Sequence, residues 1–278
     1  MNDLSTVEVL TGDLLTDDLR TKRIPALPKN ISFSSMVLHQ GSILLTGGFG
    51  NEESCLQLKN GAWKEHSTLN EERIDHSAVT TNSATFLFGG INSSTYEYLT
   101  KDSSKWIMGK NKIPGGFERG CAISVKSEKE IWLIGGCWRN GKRIISFNVN
   151  DHTFQVLNSQ LKIERSHQRC AFIPNTKKLM ITGGFDNGGH LNSTEIIDTE
   201  DGSISMGSPM NHRRSSHGIG VIRNDNEERL VVFGGENSDA IELYNAETEK
   251  WEITDTKLRE PKSDFGFLTV KLGQIQQL

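Results

Sequence analysis

Five pairs of adjacent glycines recur along the chain, and each pair ends a short run of apolar residues. The pairs are Gly47-Gly48, Gly89-Gly90, Gly135-Gly136, Gly183-Gly184 and Gly234-Gly235. Their first glycines lie 42, 46, 48 and 51 residues apart. A nearly fixed interval of this length is typical of repeat architectures. It predicts one repeated structural unit along the 278 residues rather than several unrelated domains.

Each repeat has the pattern of four short β-strands. A strand such as residues 76–80 precedes a polar turn, and an apolar strand then leads into the glycine pair. A third strand such as residues 240–244 follows, and the fourth strand carries an aromatic residue, for example Trp63, Trp106 or Trp251. A four-stranded sheet cannot cover its own two faces, so stacking such sheets around an axis predicts an all-β propeller.

The glycine pairs have a structural role in this arrangement. A residue without Cβ lets a neighbouring backbone or ring approach closely where strands are crowded. The pattern resembles the kelch repeat, whose hallmarks are a double glycine after an apolar strand and a Tyr-like position about seven residues before a Trp-like one. Tyr244 with Trp251 and Phe147 with Phe154 fit that spacing. The resemblance covers essentially the whole chain and implies a kelch-type propeller, without implying an activity.

The two chain ends hold the strands of an incomplete repeat. Residues 265–270 read as a first strand, residues 274–278 as a shortened second strand, and residues 5–10 resemble the third strand at 193–198. We therefore expect six blades, the last closed by strands from both termini; five blades with frayed ends is the alternative. Over residues 1–278 the single propeller is expected to have blades near 31–70, 74–112, 119–158, 167–208 and 215–257, and a sixth from 263–278 plus 5–28.

Composition excludes some classes of function. Lys and Arg total 31 against 35 Asp and Glu, a net charge of -4, which argues against nucleic-acid binding. No apolar stretch is long enough for a membrane span, and residues 1–5 do not resemble the start of a secretory signal. Four cysteines without C-x-x-C spacing, at positions 55, 121, 137 and 170, are expected to be reduced in a cytoplasmic protein.

Arginines concentrate in the loops of one predicted face. In an antiparallel blade, the loop into the first strand and the loop after the second emerge on the same side. We predict that the arginines in these loops bind a protein or peptide, acidic or phosphorylated, because a guanidinium grips a carboxylate or phosphate at two points. They are Arg119, Arg139, Arg143, Arg165, Arg169, Arg213 and Arg214.

The alternative is that loop residues of this kind anchor the repeat itself. We favour that structural role for Arg73 and His76, and a packing role for His217. The resemblance to kelch adaptors implies an acidic-peptide site with arginines just ahead of the first strands, which Arg119 and Arg169 match. It also implies a link to a ubiquitin ligase, by resemblance alone.

The sequence favours a non-catalytic protein. It shows no serine elbow, phosphate loop or metal-ligand spacing, so we predict no catalytic residues, no metal and no cofactor. The alternative is a kelch-type sugar isomerase or mutarotase that performs acid–base chemistry at the channel mouth. Its candidate residues are Glu164, Arg165, His167 and Glu236.

Overall fold

The structure is a computed structural model that describes residues 7–13, 18–136, 141–223, 227–236 and 238–268. Every regular element in this part of the chain is a β-strand, and it contains no helix that could cross a membrane. The first two strands, β1 (Val7–Asp13) and β2 (Asp18–Ile24), form an antiparallel hairpin.

Five antiparallel sheets of four strands follow. Blade 1 contains β3 (Ser35–His39), β4 (Ser42–Thr46), β5 (Ser54–Lys59) and β6 (Ala62–Thr68). Blade 2 contains β7 (Ser77–Thr80), β8 (Ala84–Phe88), β9 (Tyr96–Thr100) and β10 (Ile107–Met108). Blade 3 contains β11 (Cys121–Val125), β12 (Glu130–Ile134), β13 (Arg143–Asn148) and β14 (Phe154–Gln160).

The last two complete sheets have the same order. Blade 4 contains β15 (Arg169–Phe172), β16 (Lys178–Thr182), β19 (Thr194–Asp198) and β20 (Ile204–Gly207), with a small hairpin of β17 (Phe185–Asp186) and β18 (Gly189–His190) in its loop. Blade 5 contains β21 (Gly218–Arg223), β22 (Glu228–Phe233), β23 (Ala240–Asn245) and β24 (Lys250–Lys257). First strands of successive blades contact one another, so they lie nearest the axis.

The core lies between the blades. Second strands are buried almost throughout, as at Phe86, Leu87 and Phe88 of β8. Apolar clusters join blade 1 to blade 2, blade 2 to blade 3, blade 3 to blade 4 and blade 4 to blade 5. This is the burial on both faces that the continuous apolar runs predict. The sheets therefore stabilise one another rather than themselves.

A ring of backbone hydrogen bonds closes the fold around six positions. The amide of Asp75 donates to the carbonyl of Phe33 at 3.0 Å, and the same bond repeats from each member to the one before it. The last bond runs from the amide of Phe33 to the carbonyl of Asp264 at 2.6 Å. All six residues have left-handed backbone, with φ between 51° and 59°. The ring members are Phe33, Asp75, Arg119, His167, Ser216 and Asp264.

This ring supports the prediction of six blades. Six positions before each ring member lies a buried apolar residue, and the set is Leu27, Leu69, Ile113, Leu161, Met210 and Leu258. Phe265 and Phe267 contact Phe233 of blade 5, and a Cβ on Gly266 would meet Met36 of blade 1. The segment at 263–268 therefore spans from blade 5 to blade 1.

The amino-terminal hairpin also lies at this sixth position. Strand β1 lies beside β21, and β2 lies beside β24. The predicted carboxy-terminal strands at 265–270 and 274–278 are not seen as strands at 265–268, and their remainder lies outside the described residues.

The glycine pairs form the contacts between blades. The amide of Gly48 donates to the carbonyl of Arg73 at 2.8 Å, and each later pair makes the equivalent bond to the next blade. Both glycines of every pair have left-handed backbone, which a Cβ would strain. A Cβ on Gly234 would also stand 2.8 Å from the carbonyl oxygen of Lys262. The expected close approach is confirmed, and the left-handed backbone adds a second requirement for glycine.

Three blades contain a buried ion pair that the sequence analysis missed. Arg73 binds Glu97, Arg165 binds Glu195 and Arg214 binds Glu242 at 2.6, 2.9 and 2.7 Å, and all six side chains are fully buried. Each glutamate also accepts a backbone N–H three residues before its arginine, from Asn70, Lys162 and Asn211. The signal was an acidic residue within an otherwise apolar third strand.

Blades 1 and 3 replace this arrangement as a unit. Blade 3 has Phe117 and Ile145 at the arginine and glutamate positions, and blade 1 has Ile31 and Leu56. The residue that supplies the N–H in the other blades is proline in both, at positions 114 and 28. Proline has no backbone N–H, so the absence of the glutamate leaves no buried donor unpaired at this position.

Cys121 and Cys170 form a disulfide between the first strands of blades 3 and 4. Their Cα atoms are 6.0 Å apart, within the range of native disulfides. The prediction that these two thiols are reduced is therefore wrong. Their separation of 49 residues, close to one repeat, was the available signal. Cys55 is a buried thiol whose pKa is raised by burial to about 12, and Cys137 lies outside the described residues.

Replacing the buried ion pair of blade 2 by the residues of blade 3 tests whether this set acts as a unit. Arg73→Phe or Glu97→Ile alone should lower the free energy of unfolding by about 3–5 kcal/mol, because each leaves a buried charge unpaired. The triple variant Asn70→Pro, Arg73→Phe, Glu97→Ile should be more stable than either single variant. Urea unfolding of the four proteins measures this, and simple addition of the losses would contradict it.

Removal of the disulfide should also destabilise the fold. Adding a thiol reductant, or substituting Cys121→Ser and Cys170→Ser together, is expected to lower the free energy of unfolding by about 2–4 kcal/mol, since a long loop is released. A Cys55→Ser variant should keep its sensitivity to reductant and is the control. Detection of four reactive thiols in unreduced, denatured protein would contradict the assignment.

Candidate functional site

The predicted partner-binding arginines fall into three environments. Arg165 and Arg214 are fully buried, and besides their glutamates they donate to the carbonyls of Gly183 and Gly234 at 2.6 and 2.5 Å. Arg73 makes the same bond to Gly89 in blade 2 at 2.6 Å. A partner cannot reach these side chains, so the binding role predicted for Arg165 and Arg214 is wrong. The structural role favoured for Arg73 is confirmed.

Two further arginines donate to carbonyls of the loops. Arg143 is half-buried and donates to the carbonyls of Pro114 and Gly116 at 2.5 and 2.8 Å, which ties blade 3 to the loop that enters it. Arg213 is exposed and donates to the carbonyl of His190 at 3.2 Å. Arg139 lies outside the described residues.

Arg119 and Arg169 lie together at the mouth of the central channel. Nε of Arg119 binds Oδ2 of Asp75 at 3.1 Å, and the Arg119 side chain is 27% exposed. Arg169 is half-buried; its Nε donates to the carbonyl of His217 at 2.9 Å, and its guanidinium carbon lies 5.3 Å from the ring centre of Phe267. Both Nη groups of Arg119 and Nη2 of Arg169 make no hydrogen bond to any described residue. These N–H donors remain available to a ligand.

The two arginines belong to a cluster of ionisable groups around the axis. We call this the axial cluster, and it consists of Asp75, Arg119, His167, Arg169 and Asp264. Nε2 of His167 lies 3.9 Å from Oδ1 of Asp75. Burial and the nearby Arg169 and Arg119 lower the pKa of His167 to about 3, so its ring is neutral at pH 7. Burial raises the pKa of Asp75, although its bond with Arg119 opposes that rise.

A set of apolar side chains around this cluster was missed in the sequence analysis. Each follows a glycine pair directly, and we call the set the apolar collar: Phe49, Ile91 and Phe185. Phe49 is 65% exposed and Ile91 is 40% exposed. Phe185 is half-buried and meets the ring of His190 edge-on, with centroids 5.2 Å apart. The signal was visible as an apolar residue after three of the five glycine pairs.

The residues of the sugar-isomerase alternative do not form one site. Arg165 is buried in an ion pair with Glu195, whereas His167 lies in the axial cluster. Glu164 lines a cavity of about 110 Å³ with Ser166, Phe185 and Asp186 at the boundary of blades 3 and 4. Glu236 follows the glycine pair of blade 5. Among the described residues, no group of three His, Cys, Asp or Glu side chains is arranged to hold a metal ion.

Comparisons with known proteins agree with the architecture. No protein-family model matches the chain. Over 210 residues it is 26% identical to a RING finger domain and kelch repeat-containing protein of Dictyostelium discoideum, a match that covers 72% of this chain and 20% of that protein. It also superposes on the solved structure of YjhT with a TM-score of 0.74 and 12% identity, over 87% of this chain and 88% of that one. The fold is that of a kelch-type β-propeller.

This kelch-type propeller spans about a fifth of the length of its Dictyostelium relative. The likeness to YjhT, at 12% identity, concerns the fold alone. Neither comparison assigns a role to the axial cluster. The function of that cluster must be argued from its own chemistry.

In blades 2, 4 and 5 of this kelch-type propeller, the residue that directly follows the ring member is also polar and buried. Nε2 of His76 meets the hydroxyl of Thr46 at 2.9 Å, and Nε2 of His217 meets that of Thr182 at 2.8 Å. Gln168 fills this position in blade 4 and donates to the carbonyl of Ile134 at 2.7 Å. The structural role favoured for His76 and His217 is confirmed, because both rings bridge neighbouring blades inside the core.

These two histidines should make the propeller sensitive to acid. Burial lowers the pKa of His76 to about 3 and that of His217 well below 6.5. Between pH 6.5 and 3 the unfolded chain therefore binds protons that the folded chain does not, so stability falls as the pH falls. The loss approaches about 1.4 kcal/mol per pH unit for each histidine. The double variant His76→Gln, His217→Gln should show a smaller drop in Tm between pH 7 and 5; an equal drop would contradict this.

Proposed function

We propose that this propeller is a protein-interaction module that binds an acidic segment of a partner protein at the axial cluster. The observation that carries the proposal is the pair Arg119 and Arg169, which keep N–H donors unused at the channel mouth. Bidentate arginine–carboxylate bonds are among the stronger and more directional contacts in proteins. A segment bearing Glu, Asp or a phosphorylated residue supplies the matching acceptors.

The surroundings of the two arginines leave some of their N–H donors unused by the protein itself, which supports a binding role. Arg119 donates only its Nε to Asp75, so both of its Nη groups are left for the carboxylate or phosphate of an incoming segment. Because the ring of His167 is neutral at pH 7, it neither attracts nor repels a charged group of the partner. The ring fixes the backbone of both Arg119 and His167, so little ordering is needed when a partner binds.

The cellular setting forms the finer part of the proposal. The Dictyostelium relative joins kelch repeats to a RING finger domain in one protein. We extend that association to this chain: the bound partner would be a protein presented to a ubiquitin ligase. Substrate adaptors of this kind need a binding surface and no catalytic residues.

A second candidate is acid–base chemistry on a sugar at the same mouth. It is favoured by the approach of Asp75 and His167 to 3.9 Å beside Arg119, which brings a carboxyl group, an imidazole and a guanidinium together. Incubation with a panel of aldoses and acidic sugars, followed by NMR, tests it. Turnover that is lost in Asp75→Asn and His167→Gln would favour this candidate over peptide binding.

A random 12-residue peptide library displayed on phage tests the main proposal. Selected peptides should be enriched in Asp and Glu, and their synthetic forms should bind the propeller in fluorescence anisotropy. Arg119→Ala and Arg169→Lys should each raise the Kd about five- to thirtyfold, which corresponds to about 1–2 kcal/mol per central contact. Arg223→Ala, which removes an arginine on β21 that is 51% exposed, is the matched control and should leave the Kd unchanged.

The proposal fails if the library yields no binding peptide. It also fails if the selected peptides are not acidic, or if Arg119→Ala and Arg223→Ala bind them equally well. Tm values of all variants establish that a weakened Kd does not reflect unfolding.

A further inference from the structure

The apolar collar lies directly around the axial cluster. The amide of Phe49 donates to the carbonyl of Ser32 at 2.7 Å, and that of Ile91 donates to the carbonyl of Ile74 at 2.9 Å. Ser32 and Ile74 each precede a ring member, Phe33 and Asp75. Backbone hydrogen bonds therefore join Phe49 and Ile91 to the residue that directly precedes a ring member, so the collar and the ring share one face of the propeller.

The exposure of the collar is not required by the fold. Phe49 and Ile91 stand on turns whose backbone is held by the glycine pair and the ring, and their side chains join none of the buried clusters. In blade 5 the equivalent position is Glu236, whose amide makes the same bond to Ser215 at 3.2 Å. The turn thus accepts a charged residue as readily as an aromatic one. Apolar side chains grouped beside a polar site indicate a surface that is covered by a partner.

The two exposed collar residues and the arginines lie over different sectors of the mouth. Phe49 and Ile91 belong to blades 1 and 2, whereas Arg119 and Arg169 belong to blades 3 and 4. Glu236 places a carboxylate over blade 5, on the side away from Ile91. A bound segment therefore meets apolar surface at one end, arginine donors in the middle and an acid beyond them.

We infer that the partner segment carries a large apolar side chain a few residues away from its acidic residue, and that the apolar side chain covers Phe49 and Ile91. The inference rests on the proposed function, because it assigns the acidic residue to Arg119 and Arg169. The arginines bind the acidic residue through charge complementarity, and the exposed apolar surface binds the apolar residue. An acidic segment without an apolar residue would contact the arginines and leave Phe49 and Ile91 uncovered.

The phage library described above also tests this inference. Sequenced binders should contain Leu, Ile, Met, Phe or Trp at a preferred distance from the acidic residue. Replacing that apolar residue by Ala in the synthetic peptide should raise the Kd at least fivefold. The protein variant Phe49→Ala, Ile91→Ala should raise the Kd of the full peptide by a similar factor.

A double-mutant cycle separates direct contact from a general effect. If the apolar side chain covers the collar, its replacement should have little effect on binding to the Phe49→Ala, Ile91→Ala variant. Ile253→Ala is the matched control, because Ile253 is 56% exposed but lies on β24 at the outer edge of blade 5. It should bind all peptides as the wild type does.

The outcomes distinguish this inference from the proposed function. Acidic peptides that bind through Arg119 but show no preferred apolar residue, or that bind the collar variant as tightly as the wild type, overturn the inference and leave the proposed function intact. Absence of any binding peptide removes both. Additive losses in the cycle also overturn the inference, because they show that the two apolar groups do not touch.

Discussion

The hydrogen bond from the second glycine of each pair to the next blade fixes how the sheets are placed. It joins Gly48 to Arg73, Gly90 to Phe117, Gly136 to Arg165, Gly184 to Arg214 and Gly235 to Lys262, over 2.8 to 3.2 Å. Two residues after each acceptor comes the ring member that lines the channel mouth. The spacing of the blades and the position of the candidate site therefore depend on the same backbone contact. Glycine is needed because both residues of the pair have left-handed backbone.

Two arrangements are found in the five complete blades at the position two residues before the ring member. In blades 2, 4 and 5 an arginine turns back to its own glycine pair and is neutralised by a glutamate; in blades 1 and 3 apolar side chains fill the space. Burial alone would raise the pKa of Glu242, but hydrogen bonds from Asn211 and Arg214 hold it below its usual range. A buried ion pair is tolerated when every group in it is satisfied, and apolar residues of similar volume serve equally well.

These alternatives explain what the sequence could and could not predict. The repeat period and the apolar runs were sufficient for the propeller and its five complete blades, because burial between stacked sheets depends on pattern rather than on detail. The sixth position was predicted from the chain ends, although residues 265–268 are not a strand. Arg165 and Arg214 were misassigned since the loop position alone does not reveal a glutamate 30 or 28 residues later. The pairing of Cys121 with Cys170 was missed for a similar reason. Both errors concern contacts between residues that are far apart in sequence and meet only in the folded chain.

The ring explains why the mouth is where this propeller can acquire a function. Its bonds use the backbone N–H and C=O of each member, so closing the ring places no requirement on the side chains. The six members are accordingly Phe, Asp, Arg, His, Ser and Asp, whereas the glycine pair and the buried second strand recur in all five complete blades. All six side chains nevertheless start from fixed, equivalent points around one channel. A closed backbone ring with unconstrained side chains provides a rigid frame on which a binding site can vary without altering the fold.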